Sequence, residues 1–142
     1  MTEEWKSVEH ALDYLNRADS IAHRTEGEAT LLEEISAQSK KILDIGAGNG
    51  RLLNLLLLKC PGARGIALDF SPTMLTKLAE RFEQNNRVDI VEHDIHNPLP
   101  GSLQNFDVVV SSFAIHHLAH ERKYELYNEI FAIIEPGGVF CN

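Results

Sequence analysis

Near the start of the chain, apolar residues recur at steps of three and four. Val8, Ala11, Leu12, Leu15, Ala18 and Ala22 make one stripe with charges opposite, the pattern of an amphipathic helix. Thr25-Glu26-Gly27-Glu28 has the spacing of a capping box and predicts a restart into a second helix carrying Leu31, Leu32 and Ile35. After Lys41 the pattern changes to short apolar runs. Ile42–Ile45, Ala63–Leu68, Val88–Val91 and Phe106–Val110 read as strands, the last almost wholly apolar, as suits a strand covered on both faces. Helices alternate with them: Leu52–Leu58, the stripe of Met74, Leu75, Leu78, Ala79 and Phe82, and Tyr124–Ile134. Ser71-Pro72 supplies a helix cap followed by proline at the first helical position. Pro136-Gly137-Gly138 predicts a turn before a fifth strand at Val139-Phe140-Cys141, with the chain stopping two or three residues into it.

Strands alternating with helices predict right-handed crossovers and an α/β fold of three layers, helices on both faces of a mostly parallel sheet. Residues 1–38 read as an N-terminal helical segment and residues 39–142 as the α/β domain, incomplete at its carboxyl end. The stripe on the first helices must be buried, and residues from Trp5 to Tyr14 are expected either to form part of a lid over the ligand face or to pack on the sheet.

Composition narrows the partners. The 142 residues carry 21 acidic and 13 basic side chains, a net charge of −8, which disfavours binding to nucleic-acid phosphates. No apolar run approaches the roughly 18 residues of a membrane span. The start Met-Thr-Glu-Glu-Trp-Lys lacks the layout of a secretory signal, and Cys60 and Cys141 offer no disulfide framework, so a reducing cytoplasm is expected.

The informative stretch is Asp44-Ile45-Gly46-Ala47-Gly48-Asn49-Gly50, between the first strand and the Leu-rich helix. Glycines there permit a tight turn and close approach of a ligand to the main chain. The N–H groups of the following helix start favour a negative group. No mononucleotide P-loop string exists, and the dinucleotide fingerprint would place its third glycine at Arg51. A nicotinamide-binding domain is therefore disfavoured. An acid ending an apolar strand beside three glycines is costly without a partner, which marks Asp44 as functional.

From Ile42 to Gly50, the sequence resembles the first motif of the class I S-adenosylmethionine-dependent methyltransferases, in particular the small-molecule type. Leu68-Asp69-Phe70-Ser71-Pro72 is similar to the acidic end of the family's second strand, and His93-Asp94-Ile95 to its third motif. Phe106-Asp107-Val108-Val109-Val110-Ser111-Ser112 is similar to the fourth strand, and Pro136-Gly137-Gly138 to the turn before the fifth. The resemblance covers residues 41–142 and implies a Rossmann-like domain with strand order 3-2-1-4-5, later strands missing. It implies S-adenosylmethionine as cofactor and methyl transfer to a small-molecule acceptor; a catalytically silent cofactor-binding domain is the alternative. Asp44, Gly46, Ala47, Gly48 and Gly50 would receive the methionine part, Asp69 the ribose hydroxyls, and Asp94 with the Ile95 main chain the adenine. Phe70 and Met74 would pack on the base or in the core, and Ser111 would be a further cofactor-binding residue. A sheet ended at a short fifth strand would expose an apolar edge beside Val139 and Phe140, a route to self-association.

Seven histidines raise the question of a metal, but His116, His117 and His120 with Glu121 lack the ligand spacing of a closed site, so none is expected. The resemblance places His116-His117 near the transferred methyl, where either can act as a base because histidine titrates near neutrality.

Overall fold

The computed structural model describes residues 22–112 and 114–142. Its elements alternate as expected: α1 (Ala22–Glu34), β1 (Lys41–Ile45), α2 (Arg51–Lys59), β2 (Arg64–Asp69), α3 (Pro72–Arg81), β3 (Val88–Glu92), β4 (Phe106–Ser111), a single 3-10 turn (Ile115–His117), α4 (His120–Ile133) and β5 (Ile134–Cys141). The five strands form one sheet in the order β3-β2-β1-β4-β5, every pairing parallel.

Alternating strand residues face opposite sides of a sheet. Ile42, Ala67, Val108 and Val110 therefore share a core with Leu53 and Leu56 of α2 and Leu78 and Phe82 at α3, against which Leu31 and Leu32 of α1 pack. Leu43, Ile45, Leu68, Phe106 and Val109 build the other core with Leu126, Ile130 and Ile133 of α4. Fully burying one such side chain stabilises by about 1.5–3 kcal/mol, so both faces hold the sheet. The double coverage explains why these strands are continuous apolar runs rather than alternating ones. Among the described residues no helix is long and apolar enough to cross a membrane.

Three expectations change. The helix restart at Thr25 does not occur, since α1 runs unbroken from Ala22 to Glu34. Glu28, the acid of the supposed capping box, is buried and accepts from Arg51 of α2 instead, at 2.7 and 2.8 Å. Pro136-Gly137-Gly138 is not a turn ahead of the fifth strand but an irregularity within it. The register moves from Phe106↔Ile134 to Val108↔Val139, and Gly137 takes φ +85°. The fifth strand is consequently 8 residues long rather than two or three. Helix α4 begins at His120, four residues ahead of Tyr124, and leads directly into β5. Trp5 to Tyr14, the candidate lid, lie outside the described residues.

Candidate functional site

Strand order reverses between β1 and β4, whose chains continue to opposite faces of the sheet, β1 into α2 and β4 into α4, which opens a crevice at their carboxyl ends. The glycine loop runs from β1 across this opening. The N–H groups of Gly46 and Ala47 both donate to the Leu68 carbonyl, at 2.8 and 2.9 Å, so the loop is fixed to the end of β2. Gly48 has φ +61°, and a Cβ there would meet nothing within 4 Å, so the main chain stands bare at this point. Gly50 caps α2 at φ +84°. Arg81 of α3 donates to the Asn49 carbonyl at 2.7 Å and secures the loop from outside.

Asp69, the last residue of β2, is buried at 8% exposure. Its Oδ2 accepts from Gly48 N–H at 2.9 Å, while Oδ1 accepts from Phe70 and Ser71 N–H at 2.8 and 3.0 Å. Burial pushes this carboxyl above the usual carboxylate range, the three N–H bonds only partly opposing it. Ser71 accepts from Met74 N–H at 3.4 Å and caps α3, with Pro72 first in the helix, as the sequence predicts.

After β3 the chain curls tightly. Asp94 Oδ1 accepts from the His96 N–H at 3.0 Å and lies 2.7 Å from His96 Nδ1, and His93 Nε2 lies 3.2 Å from the Asn97 carbonyl. The 3-10 turn after β4 brings His116 and His117 ring to ring, with centroids 4.1 Å apart.

These segments enclose a cleft of about 670 Å³, counting the space continuous with solvent at its mouth. Of the expected residues, Gly46, Gly48, Asp69 and Ile95 line it, as do Phe70 and Met74, and of the two histidines only His117. His116 is exposed and off the wall. Buried Asp44, Gly50 and Ser111 stand behind the wall, Ala47 is off it, and partly exposed Asp94 sits beside it between the lining residues His93 and Ile95. Asp44 is 1% exposed, and Ser111 Oγ is buried with no hydrogen-bond partner among the described residues. The wall further contains Ser112 and Leu118, from the segment after the fourth strand that the resemblance sets near the methyl, and His93 and His96, which the sequence did not single out. Their signal was positional: His93 and Ser112 each directly follow a strand's carboxyl end.

The set of donors fits S-adenosylmethionine. A bare glycine backbone and a buried carboxylate at a strand tip suit its amino-acid and ribose parts, and Leu68, Met74 and Ile95 offer apolar contact to a flat base.

A doubly wound sheet with a glycine loop and an acid at the next strand tip defines a nucleoside-binding α/β domain. The model of the Methyltransferase domain family matches residues 42–138, and the chain belongs to that family. It is 32% identical over 114 residues, 77% of this chain and 45% of the relative, to the carboxy-S-adenosyl-L-methionine synthase of Vibrio campbellii. It is 36% identical over 90 residues, 58% of this chain and 29% of the relative, to the malonyl-[acyl-carrier protein] O-methyltransferase of Acetivibrio thermocellus. The chain thus spans less than half the length of these curated relatives. Among solved structures, an O-methyltransferase family protein from Burkholderia thailandensis superposes at a TM-score of 0.75 with 18% identity, over 96% of this chain and 42% of that one. Human N-acetylserotonin methyltransferase, solved with S-adenosylmethionine, gives 0.71 with 19% identity, over 96% and 38%. These two likenesses concern the fold.

Proposed function

We propose that this domain binds S-adenosylmethionine in the cleft and takes part in methyl transfer to a small-molecule acceptor. The observation that carries the reading is the Gly48–Asp69 link, which joins a bare glycine backbone to a buried carboxylate inside an apolar cleft. When bound, S-adenosylmethionine supplies a methyl group already activated on a sulfonium. The protein's share is therefore mainly alignment and exclusion of water. Asp69 accepts a ribose hydroxyl through Oδ2, because Oδ1 already serves two N–H groups. Asp94 and the Ile95 main chain meet the adenine. Asp44 places negative charge beneath the loop for the ammonium, one layer behind the wall. His117 takes the proton released by a hydroxyl or acid acceptor at a ring nitrogen, a role for which it is placed better than His116.

The named relatives differ by name in reaction, one a carboxy-S-adenosyl-L-methionine synthase and the other an O-methyltransferase of malonyl-[acyl-carrier protein]. The similarity to a carboxy-S-adenosyl-L-methionine synthase supports a second reading, in which the sulfonium nucleoside is itself the molecule modified. Calorimetric titration tests the shared part. S-adenosylhomocysteine is expected to bind, and NAD is not; binding of NAD alone overturns the assignment. Mass analysis of the nucleoside after turnover separates the two readings, since methyl transfer leaves S-adenosylhomocysteine and the other route leaves a carboxylated sulfonium nucleoside.

A further inference from the structure

Arg122, in the first turn of α4, is the single buried basic side chain among the described residues, at 9% exposure. A buried guanidinium is tolerated only when paired and hydrogen-bonded. Its Nε donates to the Ile95 carbonyl at 2.8 Å and its Nη2 to the Asn97 carbonyl at 2.9 Å. Nη1 and Nη2 form a fork with the two oxygens of Glu129, at 2.6 and 2.9 Å. Glu129 in turn accepts the Leu99 N–H at 2.9 Å. One ion pair on α4 therefore grips the main chain at residues 95, 97 and 99, and that segment supplies Ile95 and His96 to the cleft wall. The same helix begins two residues after Leu118, which with His117 forms another part of the wall. Glu129 has its carboxyl held below the usual range, first of all by the Arg122 hydrogen bonds, as a firmly paired group should.

We propose that the Arg122–Glu129 pair is the positioning device that sets the cleft's preference for adenine, by holding residues 95–99 where Asp94 and Ile95 can read the base. The proposal rests on the cofactor reading above. Neither residue touches the ligand. Without the guanidinium, the Ile95 carbonyl loses this donor, the Asn97 carbonyl keeps only His93 Nε2, and the segment is held less firmly. A site loosened by about 1 Å can lose on the order of a hundredfold in performance.

The test titrates S-adenosylhomocysteine and S-inosylhomocysteine, which carries a carbonyl in place of the adenine amino group, into the parent protein, Arg122→Met and Arg122→Lys. The parent prefers the adenine form. In Arg122→Met that preference falls by about tenfold, well inside the range that misplacement allows. Arg122→Lys recovers part of it, because an ammonium still meets Glu129 but cannot also span both carbonyls; it also keeps the test available if Arg122→Met fails to fold. In the ligand-free proteins, amide exchange at residues 95–99 quickens in the variants while that of β1 and β2 does not. Affinities that fall equally for both nucleosides, or unchanged protection of 95–99, overturn the proposal while leaving the cofactor reading intact. A parent that binds both nucleosides equally also overturns it, and one that binds neither overturns the cofactor reading along with it.

Discussion

Asp69 gathers three main-chain N–H groups on one carboxylate. Three N–H donors converge on it, so Asp69→Asn sets an amide N–H against at least one of them, and the position cannot satisfy all three. The expected cost is about 1–3 kcal/mol of stability in chemical unfolding, with weaker S-adenosylhomocysteine binding. The pH dependence has a definite sign. Asp69's folded value lies above its unfolded one, so its contribution is full below the ordinary value of about 3.9 and is lost as pH rises through the raised value. Glu129 behaves oppositely: its contribution is present above about 4.3 and is lost as pH falls through its depressed value. Unfolding in urea from about pH 6 down to about pH 3 should show the Asp69→Asn deficit growing toward acid and the Glu129→Gln deficit shrinking. Parallel profiles would contradict these assignments. The glycines and Asp69 were legible in the sequence because a local string sets them beside a strand end. The Arg122 clasp was not, because the partners it grips beyond its own helix are main-chain carbonyls 25 and 27 residues away, which carry no residue-type signature.

Among the elements, α2 shows what a glycine contributes when its surroundings are fixed. Gly50 combines φ +84° with a site where a Cβ would stand 2.5 Å from Phe82 Cε2, whereas a Cβ on Gly48, at φ +61°, meets nothing within 4 Å. Gly50→Ala should carry the left-handed strain of about 1–2 kcal/mol and also displace the Phe82 ring, while Gly48→Ala carries the strain alone. Thermal unfolding should therefore rank Gly50→Ala as the less stable variant; the reverse order would mean that Phe82 adapts freely. Strands β1 to β4 and the starts of α2 and α3 followed local rules, from apolar runs, glycine and Ser-Pro. The misread places were decided by distant partners. Arg51 draws Glu28 away from any cap, and pairing with β4 stretches Pro136-Gly137-Gly138 into an irregular part of β5. Neither partner is visible in the local string.

At the scale of the whole molecule, the sheet separates two cores that share no buried residue. Leu53→Ala on one face is expected to cost about 2–5 kcal/mol and Ile130→Val on the other about 0.5–1.5 kcal/mol. With the sheet between them, the double variant should equal their sum within about 0.5 kcal/mol. A larger discrepancy in urea unfolding would show that strain crosses the sheet.

The central position of β1 also bears on how the domain comes together. Ile42 pairs with Gly65 on one side and with Val108 on the other, so the first partner arrives after one crossover and the second only after most of the chain. Closing the longer loop costs more chain entropy, and non-local pairings of this kind slow folding. A growing polypeptide can zip β1, β2 and β3 while it still lacks the wall built by residues after β4. The cleft is thus a late product of assembly, and its ligand stabilises the finished domain without helping the three-strand precursor.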